Sequence, residues 1–202
     1  MKTLILIGLI LVSGYSFAQT SGYQVGDVVK DFALKNIDNK TVSLANYKDA
    51  KGYVVVFTCN TCPVAQAYQE RIAALNQAYA AKGYPVIAIN PNDAGVAPNE
   101  SFEKMQALAR QKNFSFPYLL DPDHIVTRQF GATKTPHVFV LQKTKQGNVV
   151  EYIGAIDNDP EEQSNSKITY VKNAINELSS GKKPAVVSTK AVGCSIKWKK
   201  TS

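Results

Sequence analysis

The chain predicts an α/β protein, with a mixed central sheet flanked by helices and an N-terminal β-hairpin. Three observations predict it. Residues 53–57 and 84–89 are continuous apolar runs, the pattern of strands buried on both faces. Between them lies an amphipathic helical stretch, so the connection is a crossover and the two strands run parallel. Near the end, residues 137–141 and 149–156 flank the turn Lys145-Gln146-Gly147-Asn148, a hairpin that adds antiparallel strands.

The chain opens MKTLILIGLILVSGYSFAQ. Lys2 is a short positive start, residues 4–12 are apolar apart from Gly8, and Ser16-Phe17-Ala18 sets small residues where a signal peptidase reads. A stretch that short does not span a hydrocarbon core, which needs about twenty residues. Residues 1–18 therefore read as a cleaved secretory signal peptide with Gln19 as the mature N-terminus. The expected location is periplasmic or secreted, without stable membrane insertion. Residues 19–202 are the right size for one domain, with a basic C-terminal tail.

Along that domain, residues 31–34 and 41–44 read as two short strands around the turn Ile37-Asp38-Asn39-Lys40. The central strand at 53–57 comes next. From 63 to 81 the apolar positions Val64, Ala67, Tyr68, Ile72, Leu75 and Tyr79 recur at helical spacing, and Lys82-Gly83 stops the helix. After the strand at 84–89 come a polar loop at 90–98, a helix at 100–112 and a strand at 116–120. Asp121-Pro122-Asp123 starts a short helix at 125–130 that ends at Gly131. The last helix is expected at 165–179, closed by Gly181. The tail from Lys182 has no clear period and is expected to lie on the surface.

The formal charge is +7, and Lys182, Lys183, Lys190, Lys197, Lys199 and Lys200 crowd the C-terminal end. A nucleic-acid footprint needs a basic face interleaved with stacking aromatics. Trp198 alone does not make one, so no nucleic-acid partner is expected. The acidic run Asp157, Asn158, Asp159, Pro160, Glu161, Glu162 lacks the spacing of a dedicated calcium loop and reads as a solvated turn.

Two of the three cysteines, Cys59 and Cys62, sit between the end of the buried strand and the first turn of the helix. Pro63 suits a first helical position, where its missing N–H costs nothing. Free backbone N–H groups and the positive end of the helix dipole favour a thiolate there. Cysteine pKa values in such places fall from about 8.5 to roughly 3.5–7.5. By this logic Cys59, nearer the solvent, is the attacking thiol and the most acidic of the three. Cys62, one turn on, resolves the mixed disulfide. Cys194, far off in sequence, is either a resolving thiol or a structural one.

Here the chain resembles the thioredoxin-like redoxins, the AhpC/TSA-type group that includes peroxiredoxins and exported thiol–disulfide oxidoreductases. Gly26-Asp27 with Asp31-Phe32 matches the group's opening, and Phe57-Thr58-Cys59-Asn60-Thr61-Cys62-Pro63 matches its active-site turn. Phe130-Gly131-Ala132 with Thr135-Pro136-His137-Val138-Phe139 matches the stretch carrying the fold's cis-proline. The late Gly193-Cys194-Ser195-Ile196-Lys197-Trp198 fits a peroxiredoxin-like branch. The resemblance implies a thioredoxin-like fold and a cis Thr135–Pro136 bond facing the cysteines, with Thr58, Pro63, Thr135 and Pro136 supporting the site. It departs from the pattern at Thr58, where an aromatic is usual, and at Ala65 and Tyr53, where acids are usual. Peroxiredoxins place a Thr three residues before the reacting cysteine. That position holds Cys59 before Cys62 and Val56 before Cys59.

These features lead to an expected exported thiol–disulfide oxidoreductase working through a CxxC pair. It would exchange with partner dithiol or disulfide proteins and need no cofactor. The first alternative is a peroxiredoxin-like thiol peroxidase acting on a peroxide. The second is a non-enzymatic Cu(I)-binding module using Cys59, Cys62 and His137.

Overall fold

A computed structural model describes residues 22–200. The expected signal peptide at 1–18 and the cut before Gln19 lie outside them. The strands are β1 (Val28–Val29), β2 (Ala33–Asn36), β3 (Thr41–Ser43), β4 (Gly52–Phe57), β5 (Val86–Asn90), β6 (Tyr118–Leu120), β7 (Lys134–Thr135), β8 (His137–Thr144), β9 (Gly147–Gly154) and β10 (Cys194–Ser195). The helices are α1 (Pro63–Tyr79), α2 (Phe102–Gln111), α3 (Ile125–Phe130) and α4 (Tyr170–Ser179).

Eight strands form one sheet in the order β1-β9-β8-β4-β5-β6-β2-β3, and β7 pairs with β10 apart from it. β4, β5 and β6 are parallel, as the helical crossovers require. β8 and β9 add antiparallel strands at one side, and the β2–β3 hairpin joins antiparallel to β6 at the other. The expected mixed sheet and N-terminal hairpin are both present. The arrangement is thioredoxin-like.

The apolar runs are continuous because the sheet is covered on both faces. On one face Val54, Val56, Val86 and Ala88 meet Tyr68, Ile72 and Leu75 of α1, Met105 of α2 and Ile175 of α4. On the other, Tyr53, Val55, Phe57, Ile87 and Ile89 meet Val126 and Phe130 of α3, Phe32 and Leu44. Every residue of β4 is buried. A fully buried valine contributes about 1.5–3 kcal/mol, so this strand firmly anchors the cysteine turn at its C-terminal end. Among the described residues, no helix is long and apolar enough to cross a membrane.

Three expectations are corrected. The last helix starts at Tyr170, not 165, because Asn158 holds Ile168 through both its side-chain oxygen (2.7 Å) and its backbone N–H. The acidic run is a solvated turn only in part, since Asn158, Glu161 and Glu162 are exposed. Asp157 and Asp159 are buried, and Arg71 reaches Asp157 at 3.0 Å and the Asp159 carbonyl at 2.7 Å. The tail does not simply lie on the surface. It forms β10 and buries Ile196 in the second core.

Candidate functional site

β4 ends at Phe57, and the chain turns through Thr58–Thr61 into α1. Cys62 caps the helix and Pro63 takes its first position, as the sequence predicts. Thr135–Pro136 is cis, and Thr135 faces the cysteines. Its hydroxyl lies 3.1 Å from Cys59 Sγ and its carbonyl oxygen 3.3 Å from Cys62 Sγ. One residue of the cis-proline loop thus touches both sulfurs. Thr58 is buried, and its hydroxyl has no partner in the described structure.

The disulfide present is not between Cys59 and Cys62. Cys62 is bonded to Cys194, with Cα atoms 5.9 Å apart, and Cys59 is free and buried. The tail brings Cys194 there by antiparallel pairing of β10 with β7, in the register Cys194↔Thr135 and Ser195↔Lys134. Gly193 allows the approach. A Cβ on it would run into the Thr135 carbonyl oxygen, so only glycine fits.

Further along, the tail is tied down by backbone hydrogen bonds. Lys197 N–H donates to Asn92 Oδ1 and its carbonyl accepts from Asp93, both at 2.8 Å. Lys199 N–H donates to His124 Nε2 at 2.9 Å, and Trp198 lies against the same ring at 4.9 Å between centroids. His124 carried no readable signal in the sequence. Its role as a tail anchor depends on a pairing of residues 75 positions apart.

Cys59 is not the acidic thiol that its place before a helix predicts. Burial pushes it up, and the Glu100 carboxylate adds to the effect. The Thr135 hydroxyl and the amides of Cys62 and Thr61 oppose this without overcoming it. Cys59 is 2% exposed and Cys62 4%, whereas Cys194 is half-buried. Of the three cysteines, the one on the tail is the most exposed.

Glu100 is the residue that sequence reasoning missed. It sits on a 3-10 turn (Pro98–Glu100) after β5 and is fully buried. Asn60 N–H (2.8 Å) and Asn90 Nδ2 (2.9 Å) donate to Oε2, while Thr61 N–H (3.0 Å) and the Thr61 hydroxyl donate to Oε1. No local pattern flags this, since Asn99-Glu100-Ser101 reads as an ordinary helix entry.

His137 begins β8 but joins no metal set. Its Nδ1 accepts from Thr133 N–H at 3.4 Å, and burial pushes its pKa down to about 4. Among the described residues, no three His, Cys, Asp or Glu side chains are placed to hold a metal ion. The Cu(I) set of Cys59, Cys62 and His137 is therefore not assembled, and the Cys62 sulfur is already bonded.

A hypothetical protein from Sinorhizobium meliloti is 29% identical to this chain, covers 88% of it and 96% of its own length, and superposes with a TM-score of 0.80. An uncharacterized conserved protein from Geobacillus kaustophilus is 30% identical over 89% of this chain and 94% of its own, also at 0.80. Peroxidoxin BcpB from Mycobacterium tuberculosis shares the fold at 19% identity, covering 64% and 83%, with a TM-score of 0.53. No curated protein matches the sequence significantly. The AhpC/TSA family model matches residues 25–152, which include β4, the Cys59–Cys62 turn and the cis-proline loop, and the chain belongs to that family.

Proposed function

We propose that the protein is an exported thiol–disulfide oxidoreductase that works with three sulfurs. The observation that carries this reading is a free buried thiol, Cys59, packed beside a disulfide whose other end is on the docked tail. Disulfides persist in oxidising compartments, which agrees with the signal-like opening of the chain.

A partner dithiol enters at Cys194, the most exposed of the three cysteines. Its thiolate attacks Cys194 Sγ, forms a mixed disulfide there and expels the Cys62 thiolate, which takes up a proton. The partner's second thiol then attacks its own sulfur in the mixed disulfide and releases Cys194. Two electrons pass from partner to chain, and the reverse sequence reduces a substrate disulfide. Cys59 supplies an internal route. Its thiolate attacks Cys62 Sγ, forms Cys59–Cys62 and expels Cys194, so the two disulfides are isomers of one oxidised chain. The expected CxxC pair is then the second state of the site.

The test uses fully reduced protein, insulin as disulfide substrate and separately hydrogen peroxide, with thiols counted and mapped by peptide mass. The expected result is insulin reduction with formation of Cys62–Cys194. Cys194→Ser should oxidise to Cys59–Cys62 and leave no free thiol. Peroxide consumption without insulin reduction would replace this reading with the peroxidase one. If Cys194→Ser keeps Cys59 and Cys62 both free after mild oxidation, the internal route is wrong.

A further inference from the structure

The turn between Cys59 and Cys62 is held from outside its own helix. α1 has no acidic residue in its first turn, and Ala65 provides none. A carboxylate arrives instead from the far end of the β5–α2 connection. Glu100 receives four donors, the acceptor capacity of an ionised carboxylate. Two of them are the amides of Asn60 and Thr61, the residues directly after Cys59. Asn60 is fixed on every side. Its Nδ2 donates to the Asn99 carbonyl at 2.8 Å, its Oδ1 accepts from Tyr118 at 2.9 Å, and its carbonyl accepts from Gln66 at 2.8 Å.

The position of Glu100 is in turn linked to the tail. Lys197 N–H donates to Asn92 Oδ1 (2.8 Å), and Asn92 N–H donates to Asn90 Oδ1 (3.0 Å). Asn90 Nδ2 donates to Glu100 Oε2 (2.9 Å). A continuous chain of hydrogen bonds therefore runs from the residue three past Cys194 to the residue after Cys59. Its bonds are all buried or part-buried, where leaving one unmade is costly.

We propose that Glu100 is a positioning residue for the sulfur site: its carboxylate takes the Asn60 and Thr61 amides into its own hydrogen bonds and sets a negative charge against the Cys59 thiolate. Helix-entry amides that face a sulfur stabilise its anion. Here the Asn60 amide is turned to Glu100 and the Thr61 amide is shared with it, so Cys59 keeps only part of the usual gain, from the Thr61 and Cys62 amides. The effect is to keep Cys59 a thiol beside an intact Cys62–Cys194 bond, and so to slow the internal exchange. The other titratable groups around Cys59 do not offset this. Tyr118 on β6 is buried, held well above its usual range by that burial, and donates to Asn60. Lys134 on β7 turns its Nζ outward to Ser195 Oγ at 3.0 Å. Cys62 and Cys194 are bonded to each other.

This inference rests on the exchange reading for its purpose, but its test reads protonation of Cys59 and needs no turnover. In the disulfide-intact protein, alkylation of Cys59 by iodoacetamide is followed against pH by peptide mass. Glu100→Gln keeps the shape and removes the charge, and the midpoint should fall by about one pH unit, the low end for a like charge at close range. Looser packing would lower the midpoint too, by admitting water to the buried thiol. It would also raise the limiting rate at high pH, so a fall that comes with such a rise, or an unchanged midpoint, would overturn the proposal. A rise in midpoint would overturn it too, and would make Glu100 a proton acceptor for Cys59. Thr61→Val removes one donor and keeps the charge, so the midpoint should not fall. A fall equal to that of Glu100→Gln would count against a charge effect. Native protein supplies a control that does not depend on a variant folding. The Asn60 and Thr61 amides should be strongly protected from hydrogen exchange, and exchange at free-loop rates would show that Glu100 does not hold them.

Discussion

Cys59 shows how a single residue's chemistry escapes a positional rule. The rule that a cysteine before a helix is acidic assumes that the helix amides face it and that solvent is near. Here the first holds only in part and the second not at all, because Glu100 draws on the Asn60 and Thr61 amides and the thiol is enclosed. His137 presents the opposite case, a titratable group whose environment is simple. Burial alone lowers its pKa to about 4. The unfolded chain binds this proton near pH 6.5 and the folded chain only near 4, so unfolding takes up a proton between those values. The stability contributed by neutral His137 is thus full above about pH 6.5 and is lost as the pH falls towards 4. The loss amounts to roughly 3 kcal/mol. Urea midpoints measured across that range should fall in the native protein, and His137→Asn should show a shallower fall. Equal slopes would mean that His137 does not titrate differently in the two states.

At the scale of elements, long ones were legible and two-residue ones were not. The helix of α1 has seven buried positions at helical spacing and a proline at its start, and β4 is a continuous apolar run. β7 and β10 are two residues each and have no periodicity to detect. They exist because a strand edge meets a tail that a glycine lets in closely. Gly193→Ala drives a methyl into the Thr135 carbonyl oxygen and within 2.7 Å of its carbon, both of them backbone atoms that cannot step aside. Overpacking of this kind costs about 1–3 kcal/mol. The variant should lose β10 pairing, and dithiothreitol should reduce its Cys62–Cys194 bond faster than in the native protein. An unchanged reduction rate would mean that β10 does not shield the disulfide.

For the whole molecule, the Cys62–Cys194 bond joins the start of α1 to a tail 132 residues later. A closure that long restricts the unfolded chain strongly, and disulfides contribute typically about 2–4 kcal/mol. Denaturant titrations with and without reductant should differ by that amount. The double variant Cys62→Ala with Cys194→Ala should lower stability in the same way and lose the dependence on reductant. A protein equally stable in both conditions would show that Ile196, His124 and Trp198 hold the tail without help from the bond.

The sequence alone determined the α/β class, the central strands, the hairpins and the meeting of strand, cysteines and helix at residues 57–63. These depend on local periodicity and on residue types whose backbone preferences act over a few positions. Tertiary structure decided which cysteines are bonded, which carboxylate stands beside Cys59, and what the tail does. Cys62 meets Cys194 only when β10 pairs with β7, and Glu100 meets Asn60 only when the loop after β5 folds over the helix entry. Such contacts depend on how far the chain must close and on what is buried when it does, and neither leaves a mark in the neighbouring residues.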